Sequence, residues 1–265
     1  MTQDCSGANE YPEVPRRHFA QFAEIFGGCG QGATESFYPF TVEVSSRLPV
    51  LTFLPAGYEP EYAYPLVIFF PGRGDDERRL RRWAPQLSRR NYICLGLRGP
   101  QAVAGPQVLY HWGHGADQWL LVEDYVFTAL AELMRTRRIH PHRVFLVGVR
   151  EGAEAAYRLA LSFPERFAGV VALNGHLPTP CPLLRLSAVR RLPAFIGHGI
   201  ANPYVPLSYA RQAYRYFYTA GAPVVWHTYA TTHRLHPHMF RDVNQWLMSC
   251  CAASGARIEA SRRPV

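Results

Sequence analysis

The stretch that most limits what this chain can become spans residues 144–175, VFLVGVREGAEAAYRLALSFPERFAGVVALNG. It reads as a buried strand, a tight turn, a helix and a second buried strand. The turn is Gly148-Val149-Arg150-Glu151-Gly152. A strand that turns sharply into a helix brings backbones together two residues before and two residues after its apex, where a Cβ atom has no room. Glycine at both places, between a strand pattern and a helix pattern, predicts an elbow with Arg150 at its apex.

The rest of the chain repeats this alternation. PLVIFFP, NYICLGL, RVFLVG, AGVVALNG, PAFIGHG and PVVWHTY are apolar throughout, as in a parallel sheet covered on both faces. Helical spacing of apolar residues occupies 76–90, 116–138, 151–163, 207–219 and 237–248. FYPFTVEVSS and PVLTFLP read as antiparallel edge strands leading into the sheet. The expectation is one domain over 36–250, a three-layer α/β/α sandwich around a doubly wound, mostly parallel sheet. Residues 1–35 form an extension and 251–265 a flexible tail. A Pro- and Leu-rich segment, 177–192, follows a strand end and suits a small lid.

Composition narrows the function classes. No apolar run reaches the roughly 18–20 residues that cross a bilayer, and the N-terminus lacks the apolar core of a secretory signal. Six cysteines show no zinc-ligand or C-x-x-C spacing, and Cys94 falls inside an apolar strand. A cytoplasmic protein is expected. The net charge is +8 and all 28 basic residues are Arg. The densest basic run, DDERRLRRW, alternates with apolar positions as the solvated face of a helix does. With no nucleic-acid-reading motif beside it, no nucleic-acid partner and no membrane span are expected. The aromatic run YARQAYRYFY has helical spacing. It suits packing on the sheet, or a surface for a protein partner or a second copy of the chain.

In open α/β sheets ligands bind beyond the carboxyl ends of the strands, where GVREG sits. Here the sequence resembles the α/β-hydrolase superfamily. It is most similar to the phospholipase/carboxylesterase group of serine esterases, with its polyhydroxyalkanoate depolymerase-like and dienelactone hydrolase-like members. The resemblance rests on FFPGRGDDE, the elbow stretch, FIGHGIANPYVP and THRLHPHMFRDVNQWL, and covers roughly residues 50–250. It implies an α/β-hydrolase fold and a triad in the order nucleophile, acid, histidine. Those positions hold Arg150, Asn202 and His233. It also implies oxyanion-hole donors at the backbone N–H groups of Arg73 and Glu151.

Two of the three triad positions are therefore substituted. A guanidinium stays protonated and cannot attack a carbonyl. Loss of the serine costs a triad on the order of 10⁶ in turnover, and an acid-to-amide change about 10⁴. Ser162, Ser187 and Ser208 do not fall at an elbow. The expected protein is a catalytically inactive homologue, a pseudoenzyme with a binding or regulatory role. The alternative is an active ester or thioester hydrolase with an unrecognised nucleophile.

An arginine at a helix N-terminus meets like charge, and an anion in the cleft resolves that conflict. A small carboxylate or phosphate is thus a candidate ligand. Alternatively Arg150 pairs with Glu151, Glu123 or Asp117, or lies across the cleft and plugs it. His111 and Trp112 line the cleft or merely cap the following helix. Histidines recur at 111, 114, 198, 227, 233, 236 and 238, but no carboxylate completes a ligand set on the sequence alone. No metal and no cofactor are expected.

Overall fold

The computed structural model describes residues 35–44, 47–103, 105, 107–181 and 186–261. The expected N-terminal extension and the centre of the suggested lid lie outside the described residues.

Among the described residues ten strands form, in chain order: β1 (Ser36–Glu43), β2 (Arg47–Leu54), β3 (Tyr64–Phe70), β4 (Ile93–Gly96), β5 (Gln101–Val103), β6 (Leu109–His111), β7 (Ile139–Val149), β8 (Gly169–Leu173), β9 (Ala194–Gly199) and β10 (Val224–Tyr229). Eight of them make one sheet in the order β1-β2-β4-β3-β7-β8-β9-β10. The two antiparallel joins are β1 to β2 and β2 to β4. From β4 onward every neighbour is parallel. This is the doubly wound, mostly parallel sheet expected, with its edge strands where the sequence placed them.

The helices are α1 (Leu80–Leu87), α2 (Ala116–Thr136), α3 (Glu151–Ser162), α4 (Leu186–Val189), α5 (Leu207–Thr219) and α6 (Pro237–Ser261). They cover the two faces of the sheet separately. On one face Trp83 of α1 and Phe240 and Leu247 of α6 pack with Val67, Phe69, Val147 and Phe195. On the other, Tyr125 of α2, Tyr157 of α3 and Phe217 of α5 pack with Leu66, Ile68, Leu146 and Ile196. Alternate residues of each central strand go to opposite faces, as the pleat requires. Because both faces are covered, β3, β4, β8 and β9 are buried along their whole length, which is why they read as unbroken apolar runs.

The helix pattern differs from expectation at two places. The basic run begins as a short 3₁₀ turn, Glu77–Arg79, before α1 takes over. At the other end α6 continues to Ser261, through most of the segment expected as a tail. Its sequence, CCAASGARIEAS, is rich in helix-favouring Ala and has no proline. In α5 the residues facing the sheet are Ala210, Ala213 and Phe217, leaving Tyr209 and Tyr218 exposed. None of the described helices is long and apolar enough to cross a membrane.

Candidate active site

The four segments that matter leave the carboxyl ends of parallel strands: residues 71–76 after β3, the elbow after β7, 200–206 after β9 and 230–236 after β10. The topology alone puts them together.

Arg150 occupies the apex of the elbow with φ 57° and ψ −121°. That is left-handed backbone for a residue with a Cβ, costing about 1–3 kcal/mol. The surroundings impose it. Arg150 N–H donates to the Leu173 carbonyl at 2.8 Å, and the Arg150 carbonyl accepts from Ala153 N–H at 3.0 Å. A Cβ on Gly148 would lie 2.3 Å from the Ala153 Cα, and one on Gly152 would lie 2.0 Å from the Phe70 carbonyl oxygen. Both glycines therefore do the steric work expected of them. They let α3 start directly against β3 and β7.

The guanidinium of Arg150 turns toward the loop after β3. Its Nη1 is 3.7 Å from Oδ2 of Asp75, a buried carboxylate whose Oδ1 accepts from Arg79 Nε at 2.7 Å. The partner is thus Asp75, and none of the three acids weighed from the sequence. Asp75 stands far from Arg150 in the chain, and only the adjacency of β3 and β7 joins them. One carboxylate is shared by two guanidinium groups, and Arg150 Nε is buried with no partner among the described residues. At the N-terminal end of α3, Arg150 thus has only a share of one carboxylate among its ion pairs.

Arg73 and Gly72 lie on the same loop. A Cβ on Gly72 would come within 3.0 Å of the Arg150 Cβ, so this loop runs directly against the apex side chain. Glu151 opens α3, and the first N–H groups of a helix have no partner within it. Of the two backbone positions implied for an oxyanion hole, Glu151 follows Arg150 directly in the chain, and Arg73 follows the Gly72 that packs against the apex side chain.

His233 and Asn202 meet as a histidine and its acid would. His233 Nδ1 is 3.3 Å from Asn202 Oδ1, and that same oxygen accepts from the backbone N–H groups of Tyr204 and Val205 at 3.1 Å each. An amide oxygen here selects the tautomer with the proton on Nδ1. The Tyr204 ring stands edge-on to the His233 ring, 4.7 Å between centroids. Burial holds the His233 pKa below the usual 6.5, and the charge of Arg150 lowers it further, as does His198; Asp75 acts in the opposite sense. His233 is therefore a neutral imidazole at pH 7.

Asn174 is a positioning residue that the sequence did not disclose. It ends β8 fully buried, at φ 57°. Its Oδ1 accepts from Gly199 N–H at 2.8 Å, and its Nδ2 donates toward the carbonyls of His233 and Arg234 at 3.3 and 3.4 Å. It ties the end of β9 to the loop that presents His233.

The HWGH segment fits the helix-capping reading, with Gln118 Oε1 accepting from His114 and Gly115 N–H at the start of α2, and departs from the cleft-lining one at Trp112. β5 and β6 pair as a hairpin ending at His111. Trp112 is not a cleft-lining residue: it is buried, and its indole N–H donates to the Pro71 carbonyl at 2.8 Å. Its backbone N–H donates to Glu151 Oε1 at 3.2 Å. The segment is a brace between the β3 loop and the start of α3, and strands of three residues are too short to show an alternating pattern in the sequence.

Comparison with known proteins agrees with the fold. The sequence profile described as Phospholipase/Carboxylesterase matches residues 59–251. A candidate esterase, NocK of Nocardia uniformis subsp. tsuyamanensis, is 34% identical over 83 residues. That match covers 31% of this chain and 24% of the relative, so the chain matches about a quarter of that protein's length. Among solved structures, the carboxylesterase of Bacillus cereus is similar over 82% of this chain and 95% of its own, at 16% identity and a TM-score of 0.61. Acyl-protein thioesterase 2 of Zea mays is similar over 76% of this chain and 98% of its own, at 16% identity and a TM-score of 0.60. At such identities the structures speak for the fold.

Proposed function

Because the chain belongs to the phospholipase/carboxylesterase family of α/β-hydrolases, we propose that it is a member without ester hydrolysis, whose retained elbow binds a small anionic group, a carboxylate or a phosphate. The observation behind this reading is Arg150 itself. It stands at the strained apex where the family resemblance implies a serine, with one buried nitrogen unpartnered among the described residues and only a shared claim on Asp75. A guanidinium supplies no nucleophile, and an amide at position 202 does not stabilise a developing imidazolium as a carboxylate does. What the site does supply is a fork of donors and the N-terminus of α3. Such a constellation recognises an anion and leaves its bonds intact.

The test is thermal unfolding of the full chain with acetate, longer carboxylates and inorganic phosphate, against chloride at equal ionic strength. Stabilisation by one of these anions that disappears in Arg150→Gly supports the reading. Absence of stabilisation, or stabilisation that persists in Arg150→Gly, overturns it.

A further inference from the structure

Beside the elbow, three side chains from separate segments converge in a way the anion site does not use. His111 ends β6, His114 follows it in the loop, and Glu151 opens α3. One ligand atom from each lies within 4.8 Å of the other two. Two imidazoles and a carboxylate are the donor set of many zinc and other divalent transition-metal sites. The sequence offered the HWGH spacing without a carboxylate. The fold brings in Glu151, a residue 37 positions beyond His114 in the chain.

A second observation points the same way. Glu151 Oε1 accepts from Trp112 N–H, but Oε2 is buried and has no hydrogen-bond partner among the described residues. A carboxylate oxygen removed from water and left unpartnered is costly, and a cation beside it removes that cost. The backbone around the cluster is also held in place. Gln118 Oε1 accepts from the N–H groups of His114 and Gly115, at 2.8 and 3.1 Å. Trp112 anchors the segment to Pro71. A Cβ on Gly99 would lie 2.2 Å from the His111 carbonyl carbon, so the loop between β4 and β5 packs directly on the His111 backbone.

We propose that His111, His114 and Glu151 bind one divalent transition-metal ion of the Zn²⁺ type. Tetrahedral ligation at the usual bond lengths places ligand atoms roughly 3.3 Å apart, a closure that rotation of the exposed His114 ring supplies. The existing bond from Gly113 N–H to His111 Nδ1, 3.2 Å long, is given up or retained according to which ring nitrogen takes the ion. Retention requires the other nitrogen to lose its proton, so its loss is the expected course. Three protein ligands leave a position for water.

The test is isothermal titration of the tag-free full chain with Zn²⁺, alongside the visible absorption of Co²⁺ bound in its place. One equivalent is expected to bind, with a Co²⁺ spectrum of nitrogen and oxygen ligation. Affinity is expected to fall at least 10-fold in His114→Ala and in Glu151→Gln, and to survive in Arg150→Gly, which separates this site from anion binding. His114 is exposed, so its replacement does not threaten folding, and a circular dichroism spectrum confirms this. If Glu151→Gln fails to fold, His114→Ala alone decides. Absence of binding, binding unchanged in His114→Ala, or binding lost instead in a His236→Ala/His238→Ala variant overturns the proposal.

Discussion

Arg150 and Asp75 face each other across the mouth of the elbow, Nη1 to Oδ2 3.7 Å, while Asp75 also holds Arg79. The apex side chain is thus tethered to the loop after β3 by an acid it does not own outright. The tether is long and about a third of the Arg150 side chain remains exposed, so it is worth little to stability.

The backbone at the apex matters more than the tether. A φ of 57° with ψ −121° suits glycine and strains every other residue. Arg150→Gly is therefore expected to be more stable than Arg150→Ala by about 1–2 kcal/mol. This inverts the order found at ordinary helix-proximal positions, where alanine is favoured. Urea unfolding of both variants measures it, and equal midpoints would count against the strain.

Hydrolytic silence has its own test. Wild-type protein is expected to turn over p-nitrophenyl esters no faster than His233→Ala and to resist a fluorophosphonate probe. The double variant Arg150→Ser/Asn202→Asp restores nucleophile and acid on an elbow that is already built. It is expected to gain on the order of 10³ or more in turnover and to label at Ser in position 150. Labelling of the wild-type protein at any serine would contradict the inactive reading.

Asn174, itself fully buried, ties β9 to the His233 loop through three hydrogen bonds, of which the one to Gly199 is buried. Asn174→Ala leaves the Gly199 N–H without its acceptor and puts alanine at φ 57°. A loss of about 3 kcal/mol is expected, read from the denaturant midpoint. Nuclear magnetic resonance of the His233 ring should broaden or shift in the same variant, which a purely local loss would not produce.

Acid sensitivity follows from the histidines. His140, His198 and His233 all have pKa values held below the usual 6.5, with burial the leading cause in each. The unfolded chain then binds more protons than the folded one as the pH drops below 6.5. Their contribution is fully present above that value and is lost as the pH falls through the lowered folded values. The unfolding temperature is expected to decline from pH 7.5 to 5, and His233→Gln should flatten that decline. A steeper slope in the variant would reverse the assigned sign.

Much of this was legible in the chain. Unbroken apolar strands disclosed a sheet covered on both faces, and glycine spacing disclosed the elbow, because both are local requirements of backbone geometry. Arg150, Asn202 and His233 came together since each follows the carboxyl end of its strand. Asp75, Asn174 and the carboxylate of Glu151 acquire their parts only through contacts between distant segments. No spacing rule connects position 75 to 150, or 174 to 233. Trp112 was misread for a related reason: an aromatic residue near a cleft lines it or braces it according to a hydrogen bond that sequence does not show.

The clamp around residue 150 separates form from chemistry. Gly148, Gly152, Leu173 and Ala153 hold the turn whatever side chain sits on it, so the apex behaves as a socket. An exchange of the apex side chain therefore leaves the turn in place, because none of the contacts that fix it is made by that side chain.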